Sequence, residues 1–235
     1  YTFIEVVNEP APPSRDAKDW WERAAVILAA MRRGAPEHTL ALNNSQCMLD
    51  TSRHGGDAGI NWDQIDVLVT TGTVPEDIDN IIISTSYYRP MTFTHQGAGH
   101  VWKFDQIRGI AYPANEINCE LRINQQSDPQ CEQNIRDYLW LWKEEDQRFR
   151  VQAKRVAQWR VKHGNIFVKL GEFGAIGNAT MGRTKYFNDI VSAMQDYNIG
   201  WCNWCQDYRG SSSQLLLDKQ LPPYNPAYQG PDLPD

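Results

Sequence analysis

Short apolar runs alternate with amphipathic stretches along the chain. Apolar runs bounded by Gly, Pro, Asn or Asp predict strands, and apolar residues that recur every three or four positions predict helices. A crossover at 63–70 is predicted as a short helix or irregular structure. The predicted strands are 3–7, 39–42, 78–84, 166–170 and 200–204, and the predicted helices are 16–33, 131–163 (one long helix or a broken pair) and 184–197.

Strands that alternate with helices indicate an α/β fold with a parallel sheet. Polar residues follow several of these strands, which is where a β/α barrel builds its active site. A complete barrel of eight units typically takes about 250 residues. We therefore predict an incomplete TIM (β/α)8-type barrel, with about five of the eight strand/helix units, as a single domain over 1–235. Within it, 97–142 is predicted as loop and insertion and 206–235 as a Pro-rich tail.

Composition narrows the classes of function. The chain is 41% hydrophobic and 22% charged, as in an ordinary globular domain. Its formal net charge is −6 and its Lys and Arg are scattered, which argues against a nucleic-acid partner. The longest apolar stretches, such as 24–31, fall far short of the roughly 20 residues that span a bilayer, so we expect no membrane partner. Tyr1 opens directly into an apolar strand, without an initiating Met or a signal peptide, so we expect a start that is processed or truncated.

Among the five cysteines, one pair could form a disulfide. Cys119 and Cys131 flank a polar segment that contains a proline, so a disulfide and two free thiols are both compatible with the pattern. Cys202 and Cys205 have the spacing of a redox motif, but residues three apart on a strand lie on opposite faces, which favours two packed thiols. No second Cys/His pair suggests a zinc site, and we expect neither metal nor cofactor.

Two predicted strands end in a carboxylate. Glu9 lies between Asn8 and Pro10, and Glu172 lies between Gly171 and Phe173. A glycosidase that retains the anomeric configuration needs two carboxyl groups about 5 to 5.5 Å apart, one as proton donor and one as nucleophile. Neither short motif alone is specific for that chemistry.

Taken together and in this order, the motifs resemble glycoside hydrolase family 5, the family of cellulases, mannanases and related β-glycanases. The resemblance covers residues 1 to about 208 and corresponds to barrel strands four to eight. It is carried by Val6-Val7-Asn8-Glu9-Pro10 (strand four), Tyr87-Tyr88-Arg89-Pro90 with Phe93-Thr94-His95-Gln96-Gly97-Ala98 (strand six), Leu170-Gly171-Glu172-Phe173-Gly174 (strand seven) and Gly200-Trp201-Cys202-Asn203-Trp204 (strand eight).

The resemblance implies a role for each matching residue. Glu9 would be the acid/base and Glu172 the nucleophile. Asn8 would hydrogen-bond the 2-hydroxyl of the reacting sugar, an interaction that strengthens in the transition state. Tyr88 would hydrogen-bond Glu172, and Trp204 would stack on the sugar.

The sequence departs from the family pattern in two places. The family usually carries a His two residues before the Tyr of strand six, and Ser86 occupies that position at the substrate site. His95 lies further along the loop, and we expect a structural role for it there. The family's strand-two Arg and strand-three His precede the Asn-Glu-Pro motif, and because only seven residues precede Asn8 here, we expect no counterpart for them in this sequence.

The resemblance thus implies a secreted, retaining endo-β-1,4-glucanase (cellulase) that cleaves β-glucan by double displacement. The alternative is a weakly active or inactive remnant that binds carbohydrate. Mannanase or xyloglucanase specificity also stays open, because loops select it.

A chain that begins at the fourth strand of a closed barrel exposes the edges of its first and last strands, 3–7 and 200–204. Unpaired edges associate, and closed dimers are the commonest symmetric assemblies. We therefore predict a homodimer with strand edges at or near the interface, or pairing with a chain that supplies the missing strands. Light scattering at micromolar concentration tests this, and a well-folded, strictly monomeric chain would contradict it.

Overall fold

Five parallel strands pair in the order in which they occur along the chain. The computed structural model describes residues 3–8, 10, 17–43, 80–98, 103–143, 149–162, 166–177 and 179–203. The strands are β1 (Phe3–Glu5), β2 (Thr39–Asn43), β3 (Ile81–Tyr87), β4 (Phe167–Phe173) and β5 (Gly200–Trp201). The helices are α1 (Ala17–Gly34), α2 (Met91–Thr94), α3 (Glu116–Ile123), α4 (Pro129–Lys143), α5 (Phe149–Lys162) and α6 (Arg183–Asp196), with a 3₁₀ turn at Phe104–Gln106.

The two faces of the sheet differ in character. Side chains alternate along a strand, so register partners in neighbouring parallel strands share a face. One face is apolar and packs against the helices in a single core, to which Leu40, Leu42, Ile83, Val168 and Leu170 contribute. The other face carries Asn43, Ser84 and Lys169, which are register partners of one another along β2, β3 and β4, together with Glu5 of β1.

The sheet curves toward its polar face, which is therefore concave. The Nζ of Lys169 on β4 lies 3.5 Å from Oε2 of Glu5 on β1 and 4.1 Å from the centre of the Phe3 ring. In a flat sheet these strands would lie three spacings apart, about 14 Å, with side chains standing perpendicular to the sheet. The contact between Lys169 and Glu5 therefore requires the sheet to be curved, as in the wall of a barrel.

The structure confirms the predicted parallel α/β arrangement and corrects some boundaries. The strand predicted at 166–170 continues to Phe173, and the helical pattern of 131–163 divides into α4 and α5. The prediction of loop and insertion over 97–142 is wrong in part, because α3 and most of α4 lie there. The predicted crossover at 63–70 and the tail at 206–235 lie outside the described residues.

Capping residues explain the two helices that the hydrophobic pattern underestimated. The Asn115 side chain accepts a hydrogen bond from the Asn118 backbone N–H at 2.9 Å, which caps α3. Asp128 does the same for the Gln130 N–H at 2.9 Å, and Pro129 occupies the first turn of α4, where its missing N–H costs nothing. Polar caps therefore start both helices in a segment of weak hydrophobic periodicity.

Cys119 and Cys131 are free and buried, so the disulfide alternative is wrong. The thiol of Cys131 lies 3.5 Å from the carbonyl oxygen of Lys103. Burial raises the pKa of both thiols, which keeps them protonated and unreactive. Among the helices that the structure describes, none is both long and apolar enough to cross a bilayer.

Gln96 joins two loop segments beside the sheet. It is fully buried, and its Nε2 donates to the carbonyl oxygens of Phe93 and Ile110, each at 3.0 Å. Its Oε1 accepts from the Ile110 N–H at 2.9 Å. The side-chain amide thus satisfies both backbone groups of Ile110, as a neighbouring strand would.

We predict that Gln96→Met lowers the free energy of unfolding by about 2 to 4 kcal/mol, because it leaves buried backbone groups without partners while nearly preserving volume. Urea denaturation measures the change. Gln125→Met is the matched control, since Gln125 is exposed. Equal effects of the two substitutions would contradict a structural role for the buried amide.

Candidate active site

The predicted site residues that the structure describes gather at the carboxyl end of the sheet. Asn8 follows β1, Tyr88 follows β3, and Glu172 lies near the end of β4. Parallel strands bring their carboxyl ends to one edge, which is the functional edge of β/α folds. Glu9 and Trp204 lie outside the described residues, so their roles stay predictions.

A bulge in β4 turns Glu172 toward the concave face. Thr85 pairs with Leu170, but the next residue, Ser86, pairs with Glu172, which leaves Gly171 as an extra residue. With regular pairing, Glu172 would share the helix-packed face with Tyr87. The extra residue moves it to the face of Ser86, which is the way β-bulges re-aim side chains beside active sites.

Glycine at the extra position suits the closeness of the Ser84 side chain on β3. A Cβ atom at Gly171 would lie 2.4 Å from the Oγ of Ser84, far below contact distance. A larger side chain at this position would therefore require the buried Ser84 side chain to move. The Gly-Glu pair of the sequence motif is thereby explained by packing as well as by chemistry.

Tyr88 holds one oxygen of the Glu172 carboxylate. Its hydroxyl donates to Oε2 at 2.9 Å, and both side chains are half-buried. The Thr94 hydroxyl donates to the Tyr88 carbonyl oxygen, and the Thr94 carbonyl oxygen accepts from the Ile176 N–H at 2.8 Å. The segments that follow β3 and β4, α2 among them, are thus tied together next to the carboxylate.

His95 lies closer to this centre than the sequence indicated. Its ring meets the Tyr88 ring edge-on, with 5.3 Å between ring centres, and its Nδ1 lies 2.9 Å from the Thr94 hydroxyl. We expected a structural role in the loop. The contact does support the loop, and it also places an imidazole against the ring whose hydroxyl binds Glu172.

Ser86 is the register partner of Glu172, at the position where the family usually has His. Its Oγ is buried and has no hydrogen-bond partner among the described residues. A hydroxyl cannot supply the charge of an imidazolium, so the electrostatic setting beside Glu172 differs from the family pattern.

A polar network that sequence reasoning missed lies on the concave face. Asn43 at the end of β2 donates from Nδ2 to Glu5 Oε1 at 2.7 Å and to Asn8 Oδ1 at 3.4 Å. Glu5 in turn forms the ion pair with Lys169. The sequence signals for this network were Asn43 at the end of a strand and one charged residue, Glu5 or Lys169, within each of two apolar strands.

The described part of the chain contains no cluster of three or more His, Cys, Asp or Glu side chains that could hold a metal ion. A cavity of about 360 Å³ lies on the other, helix-packed side of the sheet, where Tyr112, Trp142, Tyr186 and Asp189 are among its lining residues. Its lining includes neither Tyr88 nor Glu172. Tyr112 donates to Asp189 at 2.9 Å, as does Lys185 at 2.8 Å, so these polar groups satisfy one another.

Comparison with known proteins agrees with the geometry. The family model described as cellulase (glycosyl hydrolase family 5) matches residues 1–210. The chain is 24% identical over 228 residues to Endoglucanase 3 of Fibrobacter succinogenes, with 93% of the chain covered. It also resembles solved structures of Thermotoga maritima Cel5A with mannotriose (20% identity, TM-score 0.58) and with cellobiose (20%, 0.57), which cover 92% and 93% of the chain. The cellulose synthase subunit Z of Clostridioides difficile is similar at 16% identity and a TM-score of 0.58 over 92% of the chain.

The chain spans 31% of the length of Endoglucanase 3 and 55% of each of these solved structures. At these identities the solved structures support the fold alone. They confirm the predicted fold class, a partial TIM-type barrel with a parallel sheet of five strands.

We predict that Tyr88→Phe lowers the hydrolysis rate about 10- to 100-fold, because a hydrogen bond to a charged group contributes about 1.5 to 3 kcal/mol. Initial rates on a soluble cello-oligosaccharide measure the change. Tyr112→Phe is a matched control, since it removes a tyrosine hydroxyl that donates to Asp189 at the same 2.9 Å on the helix side. A Tyr88→Phe variant within twofold of the wild type, or an equal loss in both variants, would contradict the proposed orientation of Glu172.

Proposed function

The chain belongs to glycosyl hydrolase family 5, the cellulase family, and from that premise we propose that it cleaves β-1,4-linked glucan by a retaining mechanism. Glu172 is the nucleophile and Glu9 the acid/base. The observation that carries the proposal is the 2.9 Å hydrogen bond from Tyr88 to one oxygen of Glu172, at the carboxyl end of the sheet. A carboxylate that is fixed through one oxygen presents the other for attack.

The proposed chemistry proceeds by two displacements. In the first, the free oxygen of Glu172 attacks the anomeric carbon, the bond to the leaving oxygen breaks, and Glu9 gives that oxygen its proton. In the second, Glu9 takes a proton from water, the water oxygen attacks the same carbon, and the bond to Glu172 breaks. Both residues end as they began, and the sugar keeps its configuration.

The relatives support a proposal for the substrate class. One is named an endoglucanase, and Thermotoga maritima Cel5A has been solved with both cellobiose and mannotriose. Cellobiose is the repeating unit of cellulose, so we propose β-glucan as the substrate of this chain. Mannan and xyloglucan are the alternatives.

A second candidate function is carbohydrate binding with little or no hydrolysis. Ser86 favours it, because a hydroxyl replaces the imidazole that the family usually places beside the acid/base. Proton donation by Glu9 would then lack an electrostatic partner. This candidate predicts oligosaccharide binding that survives substitution of either glutamate, with no turnover in the wild type.

We predict that Glu172→Gln and Glu9→Gln each lower hydrolysis of a soluble cellulose derivative by about a thousandfold or more, because each removes an essential group of a two-step reaction. Release of reducing sugar measures the loss. An activated 2-fluoro sugar should label the wild type on Glu172, as identified by peptide mass spectrometry.

The matched control is Glu120→Gln, which changes an exposed glutamate of α3 and should keep full activity. Activity close to wild type in either active-site variant would remove that residue from its proposed role. Labelling of a carboxylate other than Glu172 would overturn the assignment of the nucleophile.

A further inference from the structure

Four polar side chains form a continuous line across the concave face. Lys169 on β4 pairs with Glu5 on β1 at 3.5 Å, Glu5 accepts from Asn43 at 2.7 Å, and the same Asn43 nitrogen lies 3.4 Å from Oδ1 of Asn8. The line ends at the residue that precedes Glu9. It therefore connects the interior of the sheet to the predicted sugar-binding edge.

The charge of Glu5 fixes the orientation of the Asn43 amide. An ionised carboxylate only accepts hydrogen bonds, so the Asn43 group that faces it must be the NH₂. The second hydrogen of that NH₂ points to Asn8. Asn43 Oδ1 is left buried without a hydrogen-bond partner among the described residues, which is unfavourable.

The backbone of Asn43 is held as well. The indole N–H of Trp20 on α1 donates to the Asn43 carbonyl oxygen at 3.0 Å, and both residues are buried. Asn43 is therefore fixed at its main chain by a helix and at its side chain by Glu5. A donor that is fixed in this way imposes an orientation on the group that accepts from it.

The ion pair between Lys169 and Glu5 is suited to positioning a side chain. The Lys169 side chain is 11% exposed and the Glu5 side chain 28% exposed, so both charges are largely removed from water. Apolar replacements of such buried pairs are often neutral or stabilising, which favours a positional role over a role in stability. Here the positional role is to hold the Glu5 carboxylate where it accepts from Asn43.

We propose that Asn43 is a positioning residue, held by Glu5 and Lys169, that orients Asn8 toward the 2-hydroxyl of the reacting sugar. Because Asn43 occupies the Asn8 oxygen, the Asn8 NH₂ is the group that meets the hydroxyl. The inference rests on the proposed function and extends it to three residues, Asn43, Glu5 and Lys169, that act through Asn8.

The test is the rate ratio between two substrates in the full chain, 4-nitrophenyl β-cellobioside and its analogue that lacks the 2-hydroxyl on the sugar next to nitrophenol. We expect Asn43→Leu to lower the kcat/KM ratio of hydroxyl over deoxy substrate about tenfold, because only the first substrate uses Asn8. The rate on the deoxy substrate should stay within about threefold of the wild type. Asn8→Ala should lower the ratio at least as far, and the double variant no further.

Ser84→Ala is the matched control, since Ser84 is the buried register partner of Asn43 on the same face and should leave the ratio unchanged. An Asn43→Leu ratio equal to that of the wild type, or an equal loss on both substrates, overturns the proposal. Glu5→Leu gives the same test if Asn43→Leu does not fold, because it removes the oxygen that accepts from the Asn43 amide.

A second readout separates this proposal from the proposed function. In the ¹⁵N-labelled chain, the side-chain amide signals of Asn8, assigned by their loss in Asn8→Ala, should shift in Asn43→Leu and in Glu5→Leu but not in Ser84→Ala. Unmoved Asn8 signals overturn the positioning. A wild type that hydrolyses neither substrate overturns the proposed function, and the amide signals then decide the placement by themselves.

Discussion

The register between β3 and β4 is the constraint on which the candidate site depends. The strands pair residue for residue up to Thr85 and Leu170, and then one glycine is left over. Since side chains alternate, a shift of one residue decides which face Glu172 joins. The same shift pairs Phe173 with Tyr87, both buried on the helix side. A single glycine therefore serves the packing of the core and the direction of the carboxylate together.

The concave face follows a different rule from the helix-packed face. The helix-packed face is stabilised by burial of aliphatic side chains, which is insensitive to direction. On the concave face the stabilising contacts are directional: the Tyr88 hydroxyl on Glu172, the Asn43 amide on Glu5, and the Lys169 charge opposite Glu5. Directional contacts are poor at holding a fold together and good at orienting groups. One face of the sheet therefore stabilises the fold, and the other orients the side chains of the candidate site.

Local patterns predicted the strands, α1 and α6, because these elements carry clear apolar periodicity. They missed α3 and the start of α4, which begin at polar caps, Asn115 and Asp128, in a segment of weak periodicity. Motif resemblance brought out Tyr88 and Glu172. Glu5, Asn43 and Lys169 were beyond reach, because their contacts exist only where curvature brings β1 and β4 together. The bulge was hidden for a similar reason, since regular alternation assigns Glu172 to the wrong face.

The pair of Lys169 and Glu5 also has a geometric meaning. It spans a chord of the curved sheet, from the first strand to the fourth, while every backbone hydrogen bond between strands joins immediate neighbours. Hydrogen bonds between neighbouring strands are preserved when a sheet flattens, but a contact between its first and fourth strands is lost. The distance between Lys169 Nζ and Glu5 Oε2, 3.5 Å here, therefore reports how strongly the sheet curves between β1 and β4.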